Sequence, residues 1–281
     1  MRILKDRAGG RGRQETMKFS IVNGQRQEAQ PNRFGKCPVC DQAMIAKCGE
    51  VNIWHWAHKG RRACDPWWEN ETEWHRAWKG MFPETWQEIV HQAASGEKHI
   101  ADVKTDQGWV IEFQHSYIRP EERRSRDAFY PKLAWVVNGA RRKRDSEQFR
   151  NALNRGMHVG SNARIRIPFA DECAILRDWA GGDAPVFIDF GVGPTLWWIL
   201  TGTPDGSVDV APFSRSDFIE ILRNGAAQKA REFEDFVNSL RKPASRAEPQ
   251  PLAQALNRTD PQPAPVVPQF RMYMNRRSRR L

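Results

Sequence analysis

Cys37-Pro-Val-Cys40 sets two thiols on either side of a two-residue spacer. His55-Trp-Ala-His58 follows with the same spacing, and Cys64 lies six residues beyond it. Thiolate sulfur and imidazole nitrogen are the ligands of a tetrahedral zinc ion, and pairs two apart can grip one ion from a tight turn. Cys37, Cys40 and His58 form the heart of such a set, and either His55 or Cys64 completes it. A strand through 53–57 would need a break for both histidines to meet one ion, because successive side chains alternate sides. Four protein ligands with no open position imply a structural site that staples a loop-rich lobe too small for a core of its own. Cys48 reads as a small buried residue and Cys173 as a lone core thiol.

A second constellation is acidic. His99-Ile-Ala-Asp102-Val-Lys104 is followed, ten residues after Asp102, by Glu112-Phe-Gln114. On strands, Asp102 and Lys104 share one side, as do Glu112 and Gln114. If these strands pair through the turn at 106–108, Asp102 and Glu112 stand side by side. Two such carboxylates repel unless a cation lies between them, and hard oxygen ligands suit magnesium or manganese. An ion bridging them to a phosphodiester would polarise the phosphate and lower the pKa of a bound water. Glu71 can add a third carboxylate. His75 and Lys79, four and eight residues on, can reach phosphate or assist proton transfer. The ordinary role of charged residues on strands is a solvated sheet face, so spacing alone leaves both uses open.

These residues must be positioned by regular elements. Phe19 to Val22 reads as a strand, Asn23-Gly24 as a hairpin turn, and a return strand runs through Glu28. Residues 67–81 predict a helix, with Trp67, Trp74 and Trp78 at helical spacing and Glu71 and His75 on the same broad face. Pro83 ends it. Trp86–His91, His99–Lys104 and Trp109–His115 read as three strands. Pro120 opens a helix that stops before Pro131, and Leu133–Val137 is a fourth strand. The order is helix, three strands, helix, strand. Further on, a helix is expected near 145–155, a hairpin from Val186–Phe190 and Leu196–Leu200, and helices at Ser214–Asn224 and Ala227–Leu240.

The expected organisation is a disordered extension at 1–16, a zinc-binding lobe at 17–66, an α/β domain at 67–140 and an α+β extension at 141–242. A Pro- and Gln-rich linker with a basic tail fills 243–281. No apolar run is long enough for a membrane span. Cysteines crowded between 37 and 64 suit metal binding in a reducing compartment, which points to the cytoplasm. The net charge of +10 and a pI of about 9.7 favour a polyanionic partner, and nucleic acid is the commonest one. The run Arg141-Arg142-Lys143-Arg144, with Arg126 and Tyr130, supplies candidates for backbone contact. The twelve tryptophans can stack on bases or fill the core.

From Met17 to Gly139 the chain resembles the competence-protein CoiA-like family, within the PD-(D/E)xK nuclease superfamily. The resemblance rests on CPVC at 37–40 and HWAH at 55–58, where the family commonly has HFAH. It continues through Glu71, His75 and Lys79, then Ala101-Asp102-Val103, Ile111-Glu112-Phe-Gln114-His-Ser116, and Arg126 and Tyr130 before a strand containing Trp135. It implies a nuclease-like domain behind a zinc lobe, in proteins linked to DNA uptake, recombination or defence. Asp102 and Glu112 would bind the magnesium or manganese, with Glu71 as the helix acid. The superfamily's lysine, two residues after the glutamate, is Gln114 here. Glutamine can orient water but supplies no charge, so Lys79 or Lys104 is expected to supply it. A catalytically silent module that binds DNA or docks a recombination protein is the alternative. No residue discriminates DNA from RNA.

Overall fold

Alternation and turn chemistry build a small barrel first. Strand β1 (Phe19–Val22) returns as β2 (Gln25–Glu28) through Asn23 and Gly24, whose φ angles of 51° and 78° are those of a tight hairpin turn. Strands β3 (Phe34–Lys36), β4 (Ala43–Lys47) and β5 (His55–His58) extend the sheet in the order β2-β1-β3-β4-β5. Met17 and Trp56 then exchange backbone hydrogen bonds of 3.0 and 2.7 Å, which joins the last strand back to the first. Inside lie Met44 and Trp56, both fully buried, with Met17, Val22 and Cys37. A Cβ at Gly35 would sit 2.2 Å from Ser20 Oγ and 3.1 Å from the Ile21 carbonyl, so glycine lets β3 approach β1 without displacing Ser20. This computed structural model describes residues 16–60, 64–67, 71–159, 164–202 and 205–224. The extension expected before Thr16, the helix expected at Ala227–Leu240, and the linker and tail at 243–281 lie outside the described residues.

The first helix is shorter than its tryptophan spacing predicts. Helix α1 spans Glu73–Lys79, not 67–81. Thr72 caps it: its side chain accepts from the His75 amide, and His75 Nδ1 accepts from the Thr72 amide at 3.2 Å. This reciprocal capping fixes the start, so Glu71 precedes the helix instead of lying on it. Trp67 is stacked on the His99 ring at 3.3 Å between centroids, a tertiary contact that overrides the helical period.

Beyond α1 come β6 (Gln87–Gln92), β7 (Lys98–Lys104), β8 (Val110–Gln114), α2 (Pro120–Phe129) and β9 (Leu133–Asn138). The order of helix, three strands, helix and strand is therefore present. Helix α3 (Asp145–Asn154), β10 (Met157–His158), β11 (Ile165–Ile167), α4 (Ala174–Trp179), β12 (Val186–Asp189), β13 (Thr195–Gly202), β14 (Val208–Ser214) and α5 (Arg215–Asn224) follow. One nine-stranded sheet results, in the order β10-β11-β14-β13-β12-β9-β8-β7-β6. The pairs β8–β9 and β9–β12 are parallel and the rest antiparallel. Strand β12 pairs with β9 in register, Val186 beside Trp135, so the segment after 140 continues the sheet of the segment before it.

Both faces of the sheet are covered, which is why β9 (Leu-Ala-Trp-Val-Val) and β12 (Val-Phe-Ile) read as unbroken apolar runs. Leu133, Trp135, Val137, Val186 and Ile188 pack with Phe149, Ile175 and Leu176 of α3 and α4. Ala134, Val136 and Phe187 pack with Trp78 of α1 and Phe218 and Ile221 of α5. Among the described residues no helix is long and apolar enough to cross a membrane.

Candidate metal centre and acidic cleft

One end of the barrel gathers the ligand atoms of Cys37, Cys40, His58 and Cys64 within 4.8 Å of one another. Cys37 Sγ lies 3.6 Å from Cys64 Sγ, and Cys40 Sγ lies 3.3 Å from His58 Nε2. A tetrahedron with zinc–sulfur bonds of about 2.3 Å has edges of about 3.8 Å, and these two separations are close to that. The hydrogen bond with Cys64 holds the Cys37 thiol down to about 5, while burial pushes that of Cys40 up. A thiol that ionises readily suits metal ligation, since the thiolate is the ligand.

The alternative between His55 and Cys64 resolves in favour of Cys64. Strand β5 runs unbroken from His55 to His58, so the two imidazoles leave opposite sides of it. The inner one reaches the cluster. His55 Nδ1 instead meets the carbonyl of Ile53 at 2.7 Å.

The second site is a cleft between the barrel and the large sheet. Asp65, Glu71, Glu88, Asp102 and Glu112 line it, together with Lys79, Arg126, His75 and the barrel residues Thr16 and Met17. Strands β7 and β8 pair at Val103–Ile111 and Lys104–Val110, and the same register sets Asp102 opposite Glu112. There backbone pairing gives way to side chains. Asp102 Oδ2 accepts from the Phe113 amide at 3.0 Å, and Glu112 Oε1 accepts from the Asp102 amide at 3.4 Å. The two carboxyls thus stand on the same side of the sheet.

Lys79 is the central cation of the cleft. Its Nζ lies 2.5 Å from Glu71, 2.9 Å from Glu88 and 3.7 Å from Asp102. Burial opposes its charge, but Glu88, Glu71 and Asp102 outweigh that and hold the ammonium above its ordinary range. Glu112, 4% exposed, has its other oxygen 2.9 Å from Arg126. Burial first, and the Asp102 carboxylate second, nevertheless push Glu112 up to about 8. A cation beside Asp102 and Glu112 would remove that penalty. Five carboxyl groups and two cations, Lys79 and Arg126, line the cleft, so its donors are mainly hard oxygens.

Residues 23–66 match the family described as the competence protein CoiA, N-terminal domain. All four residues of the Cys and His cluster lie in the matched segment, which ends before the cleft residues from Glu71 onward. Comparison with curated proteins and with solved structures returned no match.

Several expected site residues have other tasks. His75 lines the cleft, yet Nε2 meets the Phe113 carbonyl at 2.7 Å and Nδ1 belongs to the cap. Burial lowers its pKa, so a neutral imidazole ties α1 to β8 and has no ring nitrogen to spare for proton transfer. Gln114 is buried outside the lining, and its amide donates to the Ser116 carbonyl at 3.3 Å. Lys104 is also outside, with Nζ 3.0 Å from His91 Nδ1.

The expected backbone contacts divide in the same way. Arg126 and Tyr130 are buried and not part of an open basic surface. Arg126 holds Glu112 and Glu122, because a helix residue facing the core can keep its charge only against carboxylates. Arg142 pairs at 2.8 Å with both Asp145 and Asp178. Arg141 is half-buried, and Lys143 and Arg144 are exposed.

Glu88 and Asp65 were not among the expected residues. Glu88 has φ of 46°, a left-handed conformation unusual for glutamate, where the pairing of β6 with β7 skips Asp102. Two charged or amide residues opening a strand, Gln87-Glu88, were the available signal. Asp65 hides beside Cys64 of the cluster and has no periodic context.

Proposed function

We propose that the cleft is the active site of a metal-dependent nuclease that hydrolyses phosphodiester bonds in DNA. The observation that carries this reading is the pair Asp102 and Glu112, set side by side on adjacent strands with the Lys79 ammonium in reach. The element order around them supports a PD-(D/E)xK-like core. The N-terminal match supports a setting in competence, that is, DNA uptake and recombination.

Asp102 and Glu112 would hold magnesium or manganese, which supplies Lewis acidity and an acidified water when bound. The chain's own groups do the rest. Lys79 brings the positive charge that Gln114 lacks, from the helix instead of the strand. Glu71 and Glu88 hold Lys79, and Arg126 holds Glu112. His75 keeps α1 on β8, so Lys79 stays aligned with Asp102. Lys143 and Arg144 are exposed cations for phosphate contact.

The test is incubation of single- and double-stranded DNA, with RNA in parallel, in magnesium or manganese. Cleavage by the native chain and its loss in Asp102→Ala, with the fold intact, is the expected result. A second reading is a silent module that binds DNA or a recombination protein. It is favoured by the ammonium and guanidinium already facing the acids. Tight binding without cleavage under either metal would establish that alternative in place of the nuclease.

A further inference from the structure

The barrel and the cleft meet through buried polar contacts whose roots lie beside the Cys and His cluster. Asp65 follows Cys64 directly and is 3% exposed. Its Oδ2 accepts from the Ile100 amide at 2.8 Å, and its Oδ1 accepts from the Trp67 amide at 2.9 Å and meets His99 Nδ1 at 2.8 Å. Ile100 and Asp102 lie on one strand and both line the cleft.

A second route starts at His58. Trp56, on the same strand, is bridged to Met17. The next two amides, of Lys18 and Phe19, donate to the Glu88 carboxylate at 2.9 to 3.1 Å. Glu88 in turn holds Lys79. Thr16 Oγ1 accepts from the Glu71 amide at 3.2 Å. Glu88 by its carboxylate and Glu71 by its amide are thus held from the barrel side, and the strained backbone at Glu88 persists because these contacts over-determine it.

We propose that the metal-binding barrel is a working wall of the acidic cleft, with Asp65 and Glu88 as the positioning residues that link the cluster to Lys79 and Asp102. This inference rests on zinc in the Cys37, Cys40, His58 and Cys64 site and on divalent-ion binding at the cleft. With the cluster loaded, Cys64 fixes Asp65, which fixes β7. With it empty, Asp65 loses its anchor and the Asp102 segment loosens before the rest of the sheet. The carboxyl of Asp65 does not touch the reacting atoms.

The test uses the full chain with zinc content measured in every sample. Amide hydrogen exchange over 98–104 is read with zinc loaded and after chelation, and in Asp65→Ala, Asp65→Asn and Glu88→Gln. Manganese affinity is measured by spin resonance with no nucleic acid present. Chelation is expected to speed exchange over 98–104 at least tenfold while 133–138 stays protected. Asp65→Ala is expected to do the same with zinc still bound and to weaken manganese about tenfold, with Asp65→Asn, which retains one acceptor, recovering part of both. Glu88→Gln is expected to weaken manganese without speeding exchange.

Unchanged exchange over 98–104 in both chelated protein and zinc-loaded Asp65→Ala would overturn the link. So would equal loosening of 98–104 and 133–138 in zinc-loaded Asp65→Ala, which would mean only global destabilisation. If the cleft proves inactive on DNA, the exchange and zinc measurements still decide this inference. Absence of zinc from the purified native chain would remove its premise.

Discussion

Asp102 and Glu112 clasp one another's strands: the carboxyl of Asp102 takes the amide next to Glu112, and the carboxyl of Glu112 takes the amide of Asp102. Each acid therefore helps to aim the other. The Asp102 side chain is 25% exposed to the cleft while Glu112 lies deeper against Arg126. Removing Asp102 takes away a metal ligand in the proposed site. Cleavage by Asp102→Ala should fall by roughly a thousandfold, since a bound ion supplies several kcal/mol of transition-state stabilisation. A nuclease assay with a matched circular dichroism spectrum checks this.

Glu112 gives a pH signature. Its folded pKa of about 8 lies above the ordinary value of 4.5, so the folded chain holds the proton more tightly than the unfolded one. Stability from this group is full below pH 4.5 and is lost as pH rises through about 8. Without divalent ions, Glu112→Gln should retain more of its stability than the native chain between pH 5 and 8. Manganese should oppose the native decline. Urea titrations at several pH values measure both.

The lysines should behave differently. Lys79→Met strands Glu71, Glu88 and Asp102 around an apolar tip. Breaking a buried ion pair typically costs about 3–5 kcal/mol, and cleavage should disappear with it. Lys104→Met, at a partner outside the cleft, should leave the rate near native. A large loss of rate in Lys104→Met with Lys79→Met active would reverse the assignment of the charge.

For the cluster, Cys64→Ser should lower zinc affinity by on the order of a hundredfold or more, because even outer-shell changes cost about 10–100-fold. His55→Ala should retain one zinc per chain. Elemental analysis after dialysis against a weak chelator distinguishes them.

Within the basic run, Arg142→Ala should lower the melting temperature, because it breaks contacts to Asp145 and Asp178. A Lys143→Ala, Arg144→Ala double variant should leave stability alone and reduce the salt slope of DNA binding by about 2. Binding isotherms over a range of salt concentrations read the slope.

The strands were legible because their signals are local. Alternation in Ile111-Glu112-Phe113-Gln114 and the turn glycines placed Asp102 opposite Glu112 without any knowledge of packing. The HWAH spacing also carried its own constraint: two histidines three apart on an unbroken strand cannot share an ion. What escaped were features decided by partners distant in sequence. Trp67 looked helical and instead lies on His99. Arg126 and Tyr130 looked like surface groups and are buried beside Glu112. Glu88 acquires its meaning from the amides of Lys18 and Phe19, nearly seventy positions earlier. No period or motif encodes such a contact.

The margins of the large sheet have a practical consequence. Open sheets recruit foreign chains along an unprotected border, and the outcome is fibrous aggregation. Here one border ends in the two-residue β10. The other is kinked at Glu88, and Arg26 occupies the carbonyls of Glu84 and Gln87 along it. Both devices hinder edge-to-edge pairing along the described borders of the sheet.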